Sequence, residues 1–161
     1  MQTPSLNRIL VIDEIPLISL GLQEALRPVN PSIIVEYTES IFTALSSASY
    51  ADKDYDLVII GSRTGNNTAN LRPSLHDMKE RFGKARIMIY SLNYDHDIIQ
   101  KMEEWGIDAY VHKYEDVPEI RNAYIRLASG QRFISAIFHT LYFEYCLDLE
   151  KIPGREASSE K

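Results

Sequence analysis

Short apolar runs alternate along this chain with longer amphipathic stretches. The runs predict strands at Arg8–Ile12, Ile33–Thr38, Leu57–Ile60, Arg86–Tyr90 and Ala109–Val111, all dense in Ile, Val and Tyr. The first, third and fourth are nearly continuous in apolar residues, as expected where helices cover both faces of a parallel sheet. Between them the period changes. Pro16 suits the first turn of a helix that carries Leu17, Leu20, Ala25 and Leu26 and stops at Pro28. Ile41, Leu45 and Ala48 mark a short second helix, and Leu71 to Phe82, ended by Gly83, a third with Leu75 and Met78 inward. Asp95 or Asp97 caps a fourth, in which Ile98, Met102 and Trp105 share a face up to Gly106. Asp116 opens a fifth, with Ile120, Tyr124, Leu127 and Ala128, closed by Gly130.

Five βα units joined by right-handed crossovers predict an α/β fold, a flavodoxin-like doubly wound five-stranded parallel sheet of order 2-1-3-4-5 with five helices. After Gly130, the residues Ile134, Ile137, Phe138, Leu141, Tyr142, Tyr145 and Leu149 recur at three and four residues, which predicts a C-terminal sixth helix. Such a stripe fixes burial but not the partner: it packs on its own domain, forms a dimer seam or leads into another domain. The last stretch, KIPGREASSEK, is polar with Pro and Gly and reads as a linker or frayed tail. The expected division is therefore 1–132, 133–150 for the helix, and 151–161 for the tail.

Composition narrows the function classes. The 161 residues suit one domain, and 45% hydrophobic with 25% charged residues is a globular balance. A net charge of -6 repels a phosphate backbone, so direct nucleic-acid binding by this chain is not expected. The single cysteine, Cys146, excludes an internal disulfide framework and fits a reducing compartment. The longest apolar runs, such as Ile9 to Ile12, are far short of the roughly 20 residues of a membrane span. The opening MQTPSLNR lacks the apolar core of a signal peptide, so the cytoplasm is the expected address.

The predicted sheet gathers chemistry at the carboxyl ends of its strands: Asp13 and Glu14 after the first, Gly61 and Ser62 after the third, Ser91 after the fourth, and Lys113 after the fifth. Here the chain resembles a bacterial response-regulator receiver, CheY-like in fold, in the segments ILVIDEIPLISLGLQEAL, DLVII, IMIYS, GIDAYVHK and RLASGQRFIS. It is most similar to receivers joined to a LuxR/NarL-type helix-turn-helix, over roughly residues 7–135. The resemblance implies that Asp13 and Glu14 match the acidic pair that holds Mg²⁺. Ser91 matches the hydroxyl that bonds the phosphoryl group, Tyr110 the switch aromatic, and Lys113 the lysine that pairs with acceptor and phosphate. In that chemistry an aspartate attacks phosphorus while a hard cation neutralises crowded negative charge.

The family's aspartate falls at Gly61, which has no side chain to act as nucleophile or third metal ligand. The following SRTGNNTANLRP also departs from the family pattern. Asp56 lies five residues earlier, roughly 16 Å if extended, and Ser62 is nearer but has no evident base. The expectation is a pseudo-receiver rather than an enzyme. Its vestigial pocket would comprise Asp13, Glu14, Gly61, Ser62, Ser91 and Lys113. Lys113 is expected to pair with Asp13 or Glu14, leaving only weak Mg²⁺ binding there and no other cofactor. The resemblance further implies a homodimer and an effector DNA-binding domain in the same full-length protein. Its candidate surfaces are the fourth helix, fifth strand and fifth helix, or the first and fifth helices. Two alternatives stay open: a phosphorylatable receiver using a non-standard acceptor such as Ser62, and a small-molecule sensor using the space between Asp13, Gly61, Ser91 and Lys113.

Plainer readings stand beside these. Asp13-Glu14 can be a solvated loop start, and Tyr110 an ordinary strand aromatic. Asp95-His96-Asp97 is better explained as the acidic opening of a helix than as a metal site. Arg63 and Arg72 read as solvated rather than as an anion site, and Cys146 as a buried structural thiol.

Overall fold

Parallel pairing turns the apolar runs into one sheet. The computed structural model describes residues 5–62 and 68–151, without the side chains at 62 and 68–70. Along the chain come β1 (Arg8–Ile12), α1 (Pro16–Leu26), β2 (Ile34–Thr38), α2 (Ile41–Ser46), α3 (Ala48–Ala51) and β3 (Leu57–Ser62). They are followed by α4 (Thr68–Arg81), β4 (Arg86–Ser91), α5 (His96–Trp105), β5 (Ala109–His112), α6 (Val117–Ala128), β6 (Phe133–Ile134) and α7 (Ala136–Glu150). The strand order is β2-β1-β3-β4-β5-β6, every pair parallel.

Alternation within the strands divides the core in two. Leu10, Ile12, Val58, Ile60, Ile87, Ile89 and Tyr110 face one side, where α2, α4, α5 and α7 cover them. Ile9, Val11, Leu57, Ile59, Met88, Tyr90 and Val111 face the other, packed by Leu22, Leu26, Ala123, Tyr124 and Leu127 of α1 and α6. Strands buried on both faces have no polar face to show, which is why the sequence reads there as unbroken apolar runs. Two aspartates clamp the amino ends of strands. Asp56 accepts from the Asn7 and Arg8 amides at 2.9 Å each, and Asp108 from the Ile87 amide at 2.8 Å. Asp56 is thereby held at the end of the sheet opposite the candidate site.

The expected counts of strands and helices are corrected in two places. The second helix breaks at Ser47, whose backbone is extended (ψ 131°) and whose hydroxyl accepts from the Ser49 amide to start α3. Serine competes for backbone hydrogen bonds and so favours such a break. The sixth strand was not expected, and the final helix begins at Ala136 rather than at 133. Gly130, at φ 82°, turns the chain back after α6. The Phe133 and Ser135 amides then bond to the Asp108 and Tyr110 carbonyls, each at 3.0 Å, adding two residues alongside β5. A strand of two residues has no period to read.

Helix α7 is tied down by Phe138, fully buried with its ring centroid 3.8 Å from that of Tyr110 and 5.1 Å from that of His112. Replacing Phe138 by Ala is expected to cost about 3–5 kcal/mol in urea unfolding. A loss below about 1 kcal/mol would mean that α7 is not part of the core.

Candidate functional site

The sheet register decides which candidate residues meet. Ile12 stands beside Ile60 across the β1–β3 ladder, so the next residues, Asp13 and Gly61, are neighbours. Asp13, Gly61 and Lys113 continue the alternation that points toward α1 and α6, whereas Ser91 and Tyr110 belong to the opposite row. The structure therefore brings three of the candidates together and sets the others apart.

Asp13 and Lys113 are joined directly. Lys113 Nζ donates to Asp13 Oδ2 at 2.8 Å, with both side chains nearly closed to solvent. The second oxygen, Oδ1, accepts from the Ile15 amide at 2.9 Å, fixing the turn into α1. Tyr90 closes the pair from below: its ring centroid lies 5.9 Å from Lys113 Nζ and its hydroxyl donates to the Lys113 carbonyl at 3.5 Å. Burial pushes the Tyr90 phenol up, and the Asp13 charge adds to it.

Gly61 is what lets the carboxylate sit there. A β-carbon at Gly61 would lie 1.9 Å from Asp13 Oδ2 and 2.7 Å from its carboxyl carbon. The Asp13 carboxylate thus occupies the space that a side chain at 61 would need. Glu14 is exposed beside this pair. Ser62 lies opposite Ser91 in the β3–β4 register, though its side chain lies outside the described atoms.

The other candidates form a second cluster against α7. Ser91 is buried, its hydroxyl accepting from the Asn93 amide at 3.1 Å. Tyr110 points inward with no exposure, its hydroxyl donating to the Asn93 carbonyl at 2.7 Å and accepting from the Asp95 amide at 3.0 Å. Burial pushes its phenol well up. Sequence reasoning missed Asn93, which joins Ser91 to Tyr110, and Ser135, whose buried hydroxyl accepts from the His112 amide at 3.0 Å. It also missed His112, whose Nδ1 accepts from the Tyr114 amide at 2.9 Å. The segment RLASGQRFIS contains Ser135, but its pattern carries no signal of a partner 23 residues upstream.

The remaining sequence candidates resolve plainly. Asp95 caps α5 through the Asp97 amide at 2.9 Å, while His96 stacks on Tyr145 at 3.9 Å. Arg72 pairs with Glu104 at 3.6 Å, and Arg63 lies outside the described residues. Cys146 is only half-buried, a departure from the buried thiol expected, because it lies on the part of α7 beyond Phe138. Among the described residues no group of three His, Cys, Asp or Glu side chains could hold a metal ion, and no helix is long and apolar enough to cross a membrane.

No protein-family profile and no curated protein matches the sequence. Solved structures do match. A LuxR family DNA-binding response regulator from Silicibacter pomeroyi superposes with TM-score 0.65 at 23% identity, over 80% of this chain and 96% of that one. The isolated REC domain of RcsB from Salmonella enterica serovar Typhimurium, with phosphomimetic BeF3-, gives TM-score 0.66 at 17% identity, covering 84% and 97%. The chain has the receiver fold. In another structure, two RcsB dimers are bound to two parallel DNAs; that match covers 84% of this chain and 66% of that one, with TM-score 0.65 at 16% identity. The order β2-β1-β3-β4-β5 expected from the sequence is the order observed, with β6 beside β5 and α7 after it.

Two outcomes are expected of this site. Gly61→Ala should lower stability by about 1–3 kcal/mol by overpacking, and the loss should shrink in an Asp13→Ala background. Additive losses in the three variants would mean that Asp13 does not fill the space at 61. The tyrosines set the alkaline limit, with Tyr94 pushed up to about 12 and Tyr110 further, chiefly by burial. A phenol with a raised folded pKa supports the fold below its unfolded value of about 10 and loses that support as pH rises. Unfolding free energy should therefore be level up to about pH 9 and fall above about pH 10, less steeply in Tyr110→Phe. Equilibrium unfolding across that range measures both slopes.

Proposed function

We propose that this chain is an atypical receiver domain of a two-component-type response regulator, regulating transcription through protein contacts and without phosphorylation at the usual strand-end position. The observation that carries the reading is the Asp13–Lys113 pair seated over Gly61. Acceptor chemistry at that position needs a nucleophilic carboxylate open to a phosphodonor. Glycine supplies none, and the neighbouring carboxylate is already bonded through both oxygens.

The donor set also does not fit Mg²⁺ as receivers hold it. A hard cation of this kind takes six oxygens, usually including one or two carboxylates. Asp13 has one oxygen on an ammonium and one on an amide, and position 61 offers no side chain. Asp13 and Glu14 are thus left with at most weak Mg²⁺ binding, and the proposed output needs no cofactor. The same filling of the space by Asp13 weighs against a small-molecule ligand between Asp13, Gly61, Ser91 and Lys113.

Output then rests on surfaces. The likeness to LuxR-type and RcsB structures supports an effector DNA-binding domain in the same full-length protein and a homodimer, and the lone cysteine fits a cytoplasmic setting. The acidic chain itself leaves nucleic acid to that effector.

Incubation with acetyl phosphate and Mg²⁺, read by intact mass, tests the proposal. The expected result is no phosphoryl adduct. An adduct that hydroxylamine removes would be an acyl phosphate on a carboxylate and would overturn the reading. One that resists hydroxylamine would place the group on a hydroxyl, Ser62 being the first to replace by Ala.

A further inference from the structure

Helix α7 does not supply its own beginning. Its N-cap residue, Ser135, makes no side-chain cap, and the Ser135 hydroxyl accepts instead from the His112 amide at 3.0 Å. The first turn of α7 holds no acid and the last no base. Asp148 and Glu150 stand at the end where a helix disfavours negative charge, with the exposed Lys151 3.9 Å from Asp148. A 15-residue helix built this way is marginal by itself. Its caps come from elsewhere: the Ala136 amide donates to Glu119 of α6 at 2.8 Å and the Ile137 amide to Glu115 at 2.5 Å. Asn122 steadies the Glu119 carboxylate at 3.3 Å, and the Glu115 amide is fixed on the His112 carbonyl at 3.1 Å.

The rest of its hold is one side chain deep. Of the residues of α7 only Phe138 is buried, whereas α6 buries Ala123, Tyr124 and Leu127. Phe138 sits against Tyr110 and His112 of β5, and its ring centroid lies 6.4 Å from that of Tyr94. Two turns further on, Tyr145 stacks on His96 at the start of α5. The seat of α7 is thus an aromatic floor on β5, with α5 on one side and two carboxylates on the other. It recognises a helix by features that do not depend on its being covalently attached: N-terminal amides without an internal partner and an aromatic residue in the first turn.

We propose that this seat is a binding site for an amphipathic helix, which the chain fills with α7 as a releasable, autoinhibitory cover. Release takes Phe138 out of its pocket and unfolds α7, because the caps on its amides exist only in the docked state. The pairing of β1 with β3 at the centre of the sheet survives that release. A partner helix then takes the place of α7, with its start toward Glu115 and Glu119 and an aromatic residue on Tyr110. The proposal deepens the output through protein contacts, and rests on that reading only for its purpose.

Hydrogen exchange on the whole chain tests whether α7 opens by itself. The amides of residues 140–149, and that of His112 on Ser135, should exchange at least about tenfold faster than the slowest amides of β1 and β3. Ile59→Val, in the core that α1 and α6 cover, should speed the strand amides about three- to tenfold and leave α7 unchanged. Glu115→Ala with Glu119→Ala should speed exchange in α7. An acetylated, labelled peptide of residues 134–151 then probes the seat. It should bind the Phe138→Ala chain, whose own helix has lost its anchor, at least about tenfold more tightly than the wild-type chain. The same peptide with Phe138→Ala should bind neither. The proposal is overturned by α7 amides that follow the strands in Ile59→Val or ignore the loss of both glutamates. A peptide that binds the two folded chains alike, or neither, overturns it too. Where the Phe138→Ala chain does not fold, the exchange result decides alone. A phosphoryl adduct in the acetyl phosphate experiment bears on the proposed function alone.

Discussion

A carboxylate and an ammonium 2.8 Å apart, almost closed to water, tie the end of β1 to the end of β5 across the two strands between them. Bringing both charges out of solvent is costly, so the pair is weak evidence of net stability. Once both are buried, however, neither can be left alone: removing one partner of such a pair costs about 3–5 kcal/mol. The loop after β5 is held by Lys113 and the turn into α1 by the other Asp13 oxygen. Tyr90 packs beneath, with its hydroxyl on the Lys113 carbonyl. The carboxyl end of the sheet is thus fixed in one arrangement by contacts of the chain with itself.

The two faces of the sheet carry different halves of the expected site. Asp13, Gly61 and Lys113 follow the row covered by α1 and α6, while Ser91 and Tyr110 follow the row covered by α5 and α7. Asn93 links the second pair, and Phe138 of α7 seals Tyr110 against the sheet. A ring with no exposure, two hydrogen bonds on its hydroxyl and another ring against it has no alternative rotamer without moving α7. Helix α7 therefore packs Tyr110 in its inward position.

Much of this was legible in the sequence because burial on two faces writes itself as unbroken apolar runs. Arg8–Ile12 and the helix from Pro16 to Leu26 emerge with the bounds that pattern predicts, and the Lys113–Asp13 pair follows once five strand ends are gathered at one edge. What was not legible has physical reasons. Phe133–Ile134 is shorter than one strand repeat, and the break at Ser47 depends on a local hydroxyl contest rather than on periodicity. Ser135 finds its partner only after Gly130 reverses the chain. Position 61 was visible as a glycine, but a sequence does not say which neighbour's atoms take the room a missing side chain leaves.

That last contact shapes what nearby sequences can do. With Asp13 filling the room beside Gly61, a side chain at 61 cannot arrive by itself without dislodging a carboxylate from its lysine. Positions 13, 61 and 113 share one volume and one ion pair, so the effect of a larger residue at 61 depends on where the Asp13 carboxylate can move. The smallest residue in the chain thus sets how closely a charge can approach the strand beside it.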